Sequence, residues 1–146
     1  MQRYSLPLLM LAVTFPAMSD PQDPGFDALQ DTDWHVTTMG ANHPVPQDVR
    51  ITMRFADGRI AGGGGCNRYS AEVKSVGPGR MLFGPAMSTR MLCPPPQMQQ
   101  ETAFFARLGA VYGYAREEDH RLRLDYRLDD TLDSMWLEPA ETRERP

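Results

Sequence analysis

The chain has 146 residues, 41% of them hydrophobic and 23% charged, with a formal net charge of −4. This length suits one domain, and the apolar share suits a packed core rather than a disordered chain. The acidic balance, with Lys74 as the one lysine, argues against nucleic acid as a partner, and no run reaches the roughly 18 apolar residues of a spanning helix.

At the N-terminus, Met-Gln-Arg precedes a short apolar run, "LPLLMLAVTF", and then "AMSD", with small residues at Ala17 and Ser19. This is the pattern of a cleaved signal peptide over residues 1–19. An ordinary first strand or helix is the alternative. No cysteine lies near the cleavage site, so export is expected without a lipid anchor, to the periplasm or outside the cell. Residues 20–30, "DPQDPGFDALQ", are polar and proline-bearing and are expected to be a linker. The domain is expected over residues 31–138, and the charged end, 139–146, as a flexible tail.

From Asp33 the run "WHVTTM" is rich in β-formers, with Trp34 as an anchor. "GANHPVPQD" is a loop. In "VRITMRF", Val49, Ile51, Met53 and Phe55 alternate with polar residues and share one face of a strand. Asp57-Gly58 predicts a hairpin turn, and "RIAGGGG" is its return strand. Tyr69, Ala71 and Val73 share a face in "CNRYSAEVKSV"; "GPGR" turns the chain, and "MLFGPAMS" reads as another strand. Three prolines end the sheet pattern at "STRMLCPPP" and lead into a helix, "QMQQETAFFARLG". Met98, Phe105 and Leu108 lie on its apolar face with Phe104 beside them, and Gly109 is its stop. "AVYGYAR", "HRLRLDYRL" and "TLDSMWLEP" read as three closing strands joined by turns at "EEDH" and "DD". The fold class is mainly β (α+β), one antiparallel sheet of about seven or eight strands with one helix packed on it.

Cys66 and Cys93 are the two cysteines. In an oxidising compartment an even count implies a bridge, and closing this loop would contribute roughly 3–4 kcal/mol. Two buried free thiols are the alternative. The four glycines ahead of Cys66 lack the lysine of a phosphate loop and the following helix of a dinucleotide fingerprint. They predict a bend or a close backbone approach, here by the "STRMLCP" chain.

The Gly-Cys-Asn-Arg box at Gly65, Cys66, Asn67 and Arg68 is followed by a Thr-Arg-Met-x-Cys-Pro box at Thr89, Arg90, Met91, Cys93 and Pro94. With Trp34 ahead of them and a helix bearing Glu101 behind, these residues resemble the META domain, the family of the HslJ-like heat-shock proteins, over about residues 30–138. The resemblance implies an antiparallel, partly open β-barrel crossed by a helix, an envelope or secreted setting and a link to stress. It supplies no reaction and no catalytic residue. The glycine run is richer than the family's usual Gly-x-x-Gly, which implies a sharper bend, and this chain lacks the cysteine that makes some relatives lipoproteins.

Other chemistry finds little support. His35, His43 and His120 match no zinc spacing, and no cofactor is expected. Cys66 as a nucleophile would need a base such as His35 and a free thiol. Ser88 sits in no nucleophile elbow, and Asp129–Asp133 lacks the glycine and closing glutamate of a calcium loop. Arg90 is expected to be partly buried and to pair with Glu101, as a structural ion pair or as an anion or peptide-terminus site. Met81, Met87, Met91 and Met98 gather near the clamp and suit core packing or an adaptable apolar surface. The expectation is a non-catalytic, exported, monomeric and stress-related module that binds a partner protein or an apolar ligand in the open barrel. An enzyme of hydrolase type with an unrecognised site and a purely structural accessory domain are the alternatives.

Overall fold

The computed structural model describes residues 24–141. The segment read as a signal peptide, the first residues of the expected linker (20–23) and the end of the tail (142–146) lie outside the described residues. The rest of the expected linker is part of the fold. Pro24–Asp27 form a short helical turn, α1, and Leu29 just after it is fully buried in the core. Thr32 Oγ1 donates to the Leu29 carbonyl oxygen at 2.5 Å, which ties this entry to the first strand. An apolar residue three positions before the strand is buried in the core, which local polarity cannot reveal.

Nine strands follow: β1 (Thr32–Thr38), β2 (Thr52–Ala56), β3 (Arg59–Gly63), β4 (Arg68–Gly77), β5 (Arg80–Phe83), the two-residue β6 (Met87–Ser88), β7 (Val111–Arg116), β8 (Leu122–Leu128) and β9 (Thr131–Pro139). One long helix, α2 (Pro95–Leu108), separates β6 from β7. All pairings are antiparallel, in the order β5-β4-β3-β2-β1-β9-β8-β7, with β6 on the outer side of β4. Two meanders are thus joined where β9 returns beside β1. The ends of the path, β5 and β7, come together without a ladder among the described residues; Tyr114 N donates to Gly79 O at 3.0 Å across that seam. The result is a nearly closed eight-strand barrel with one unsealed seam and α2 packed across it.

Period-two patterning places the core. Trp34 and Val36 of β1, Met53 and Phe55 of β2, Tyr69, Ala71 and Val73 of β4, Leu122, Leu124 and Tyr126 of β8, and Met135 and Leu137 of β9 are all buried. Val49 and Ile51 extend the β2 row before the ladder begins and are buried too. The hairpin turns are as their residues demand: Asp57 and Gly58 have φ 53° and 69°, and Asp129 and Asp130 have φ 48° and 60°. Both adjacent positive values match the mirror-image turn that suits strand twist.

The helix begins two residues earlier than its apolar pattern, because Pro95 and Pro96 occupy its first turn, where no intrahelical N–H is needed. Its inward face is centred on Glu101, Phe104 and Leu108 rather than on Phe105, which is only partly buried. Phe104, Phe105 and Tyr69 form an aromatic group with centroids 5.3–5.5 Å apart. Gly109 ends the helix with a right-handed cap (φ −68°). Tyr69, Phe104 and Leu108 belong to the core of the barrel.

The glycine run does permit close approach, but to other partners than the "STRMLCP" chain. A Cβ on Gly62 would overlap the Thr52 carbonyl oxygen of β2, and one on Gly64 would lie 2.9 Å from Phe105 Cζ and 3.0 Å from Glu101 Oε2. A Cβ on Gly63 would meet nothing nearer than 3.8 Å. Gly62→Ala is therefore expected to lower the unfolding free energy by about 1–3 kcal/mol, and Gly63→Ala to be neutral or stabilising by up to about 1 kcal/mol. Urea unfolding of the two variants checks this; equal behaviour would contradict the packing described.

Candidate functional site

The two boxes and the helix meet at one place. Gly65, with φ 113°, takes a backbone conformation that side-chain-bearing residues rarely adopt. It turns the next two amides toward α2. There Glu101 Oε2 accepts from Cys66 N at 3.0 Å and from Asn67 N at 2.5 Å, and Oε1 accepts from Asn67 Nδ2 at 2.6 Å. Glu101 and Asn67 are 5% and 4% exposed. A carboxylate removed from water needs such donors, and hydrogen bonds to a charged group contribute about 1.5–3 kcal/mol.

Asn67 passes the connection onward. Its Oδ1 accepts from Met91 N at 2.6 Å and from Thr89 Oγ1 at 3.0 Å. Thr89 Oγ1 in turn accepts from Arg68 N at 3.1 Å, and Thr89 N donates to Arg68 O at 3.0 Å. The amide of Asn67 is thereby fixed in orientation, with Nδ2 toward the carboxylate and Oδ1 toward two donors. Cys66 and Cys93 are disulfide-bonded, with Cα atoms 5.9 Å apart. Pro94 stands at the start of α2, where its carbonyl oxygen accepts from Gln97 N and Met98 N. Residues 87–94, from β6 to Pro94, thus form a strap held to the barrel by β6, by Asn67 and by the disulfide. Beside it, Tyr69 donates its hydroxyl to Thr52 O at 2.9 Å, and burial pushes its phenol well above the usual tyrosine range.

The expected Arg90–Glu101 pair is not formed. Arg90 is exposed and takes part in no ion pair or hydrogen bond among the described residues. Glu101 points inward to main-chain donors instead. Thr89 turns its hydroxyl to Asn67, and Arg90 beside it is left facing water. Asn67 and Glu101 form the buried centre of the network, Gly65 shapes the turn that presents it, and the exposed Thr89 joins through its hydroxyl; Arg68 and Met91 join through main-chain groups only, with their side chains exposed.

The remaining candidates are scattered. His35 lies on β1, His43 in the loop after it and His120 in the turn before β8, and no group of three metal-ligating side chains occurs among the described residues. Cys66 is held in the disulfide and offers no thiolate. The methionines near the clamp divide: Met81 is fully buried, whereas Met87 and Met91 are 67% and 55% exposed, next to Leu92 at 96%. Among the described residues no helix is long and apolar enough to cross a membrane. The disulfide is consistent with an extracellular location.

Asn67, a member of the first box, links the helix carboxylate to the strap, a role that the box alone does not state. Its place one residue after a cysteine in a glycine turn was the available signal, since asparagine carries both a donor pair and an acceptor and can link two chains.

The family model for the META domain matches residues 27–137. No curated protein matches the chain. Two solved structures are similar in fold. One, described as the NMR structure of the protein from Burkholderia xenovorans, is 23% identical with a TM-score of 0.61, covering 92% of this chain and 99% of that one. The other, described as the NMR structure of the protein, is 20% identical with a TM-score of 0.60, covering 80% and 96%.

Glu101→Gln, which keeps the shape but changes an acceptor into a donor facing Asn67, is expected to lower stability by about 2–3 kcal/mol. Arg90→Met is expected to stay within about 0.5 kcal/mol of the parent. Thermal and denaturant unfolding of the oxidised proteins measure both; a large loss in Arg90→Met would restore the ion pair that the geometry replaces.

Proposed function

The chain belongs to the META domain family, and from that membership and the geometry of its clamp we propose a non-catalytic exported module that binds a partner polypeptide through its strap. The observation that carries this reading is the exposure of Met87, Met91 and Leu92 on one short segment that a disulfide and a buried hydrogen-bond network hold in place. Single exposed apolar residues are ordinary. Three on a rigid segment make an apolar patch of the kind that partners cover, and methionine adapts to varied surfaces. The disulfide supports action in an oxidising compartment, and the apolar run of residues 6–15 supports export. The link to stress rests on the family resemblance.

Binding belongs to the outside of the barrel in this reading, where the exposed apolar side chains of the strap lie. A rigid strap also suits it energetically, because a surface already ordered loses little conformational freedom on association.

A photo-crosslinking residue in place of Leu92, in cells that make the protein, is expected to yield a discrete polypeptide adduct. The same residue in place of Leu132, 58% exposed at the start of β9, is expected to yield none. Absence of an adduct at position 92, or equal yield at both positions, would contradict the reading.

A further inference from the structure

The strap has an unused edge. In the β4–β6 pairing, Ser70 lies opposite Met87 and Tyr69 opposite Ser88. The pattern continues beyond β6: Thr89 N donates to Arg68 O, and Met91 N to Asn67 Oδ1. Residues 87, 89 and 91 therefore direct their main-chain groups toward β4 and Asn67. By the alternation of an extended chain, Ser88, Arg90 and Leu92 direct theirs away. None of these three has a main-chain partner among the described residues. Near its Ala86 end the same segment borders a groove of about 450 Å³ lined by Phe83, Pro85, Ala86, Phe105 and Leu108.

Charge indicates what would lie there. The chain is acidic overall; Arg54, Arg59, Arg121 and Arg123 are each matched by a carboxylate, while Arg50, Lys74, Arg80 and Arg127, away from the strap, are exposed without an ion pair among the described residues. Arg68 and Arg90, which flank the strap, are exposed and unmatched among the described residues. Two unmatched arginines beside an apolar patch are complementary to a segment that carries both acidic and apolar side chains. A second copy of this chain fits poorly, because pairing two straps edge to edge brings like charges at Arg90 together.

Building on the strap reading of the preceding section, we propose that the Ser88–Leu92 edge takes an extended partner segment by strand addition. Main-chain bonds to Ser88 and Arg90 fix its direction. Its apolar side chains cover Met87 and Met91 on one face, and its carboxylates meet Arg90 on the other. Recognition of this type draws affinity from the main chain and selectivity from alternate side chains.

The test uses the oxidised protein with a synthetic peptide alternating valine and glutamate, and one alternating valine and lysine as control. Amide hydrogen exchange is expected to slow at Ser88 and Arg90 with the glutamate peptide, and not with the lysine peptide. Arg90→Glu is expected to weaken binding by about tenfold or more with no change in unfolding midpoint. Arg90→Pro, which removes an outward N–H that no other group uses, is expected to abolish the protection. No binding, equal binding of both peptides, protection elsewhere, or self-association of the protein through this edge would overturn strand addition. A crosslink at position 92 without edge protection would leave the strap as an interface and overturn this inference alone.

Discussion

A buried carboxylate accepting from two main-chain amides and one side-chain amide holds this domain together at its most irregular point. Glu101 sits on α2, yet all three of its donors lie in the turn between β3 and β4. Without them the carboxylate would be buried unpaired, and without the carboxylate two amides and the Asn67 side chain would lose their acceptor. The interaction therefore fixes the helix over the barrel and the glycine turn under the helix together. The disulfide adds a covalent limit on the same region, and Asn67 extends it to the strap. Gly64 has no side chain for a steric reason: a Cβ there would crowd the carboxylate and Phe105.

The strands were largely readable from the sequence, because half-buried antiparallel strands carry their burial as alternation. The rows through Val49–Phe55 and Tyr69–Val73 were visible and are buried as read. So was the disulfide partnership, which needed only the cysteine count and a compartment. What could not be read was direction out of the sheet plane or off the helix. Phe104 and Phe105 are adjacent and chemically alike, and only the crossing of α2 over Tyr69 decides that Phe104 is the deeper. Glu101 reads in the sequence as the partner of a partly buried Arg90. Its partners are instead two main-chain amides, which have no sequence signature, and the Asn67 side chain. Leu29 was hidden for a related reason, since a lone apolar residue in a polar stretch gives no period.

The same separation governs function. The patterned part of the chain makes the barrel and its buried core. The unpatterned part, between β5 and α2, combines exposed apolar side chains, an unpaired main-chain edge and the unmatched Arg90. Those are features that folding alone does not require. They are also held firmly, which separates an interaction surface from a loop that merely lacks structure. Fold similarity at 20–23% identity carries the architecture to this chain and nothing more, so the functional argument rests on the strap.

Native-state hydrogen exchange at the amides of Cys66, Asn67 and Met91 tests the central claim most directly. All three donate into the Glu101–Asn67 network. If that network unites turn, strap and helix, these amides exchange only with global unfolding, as slowly as the amides of strand β8, which is paired on both sides. Exchange orders of magnitude faster, through local opening while β8 stays protected, would show that the clamp is peripheral and that the strap is not held in place.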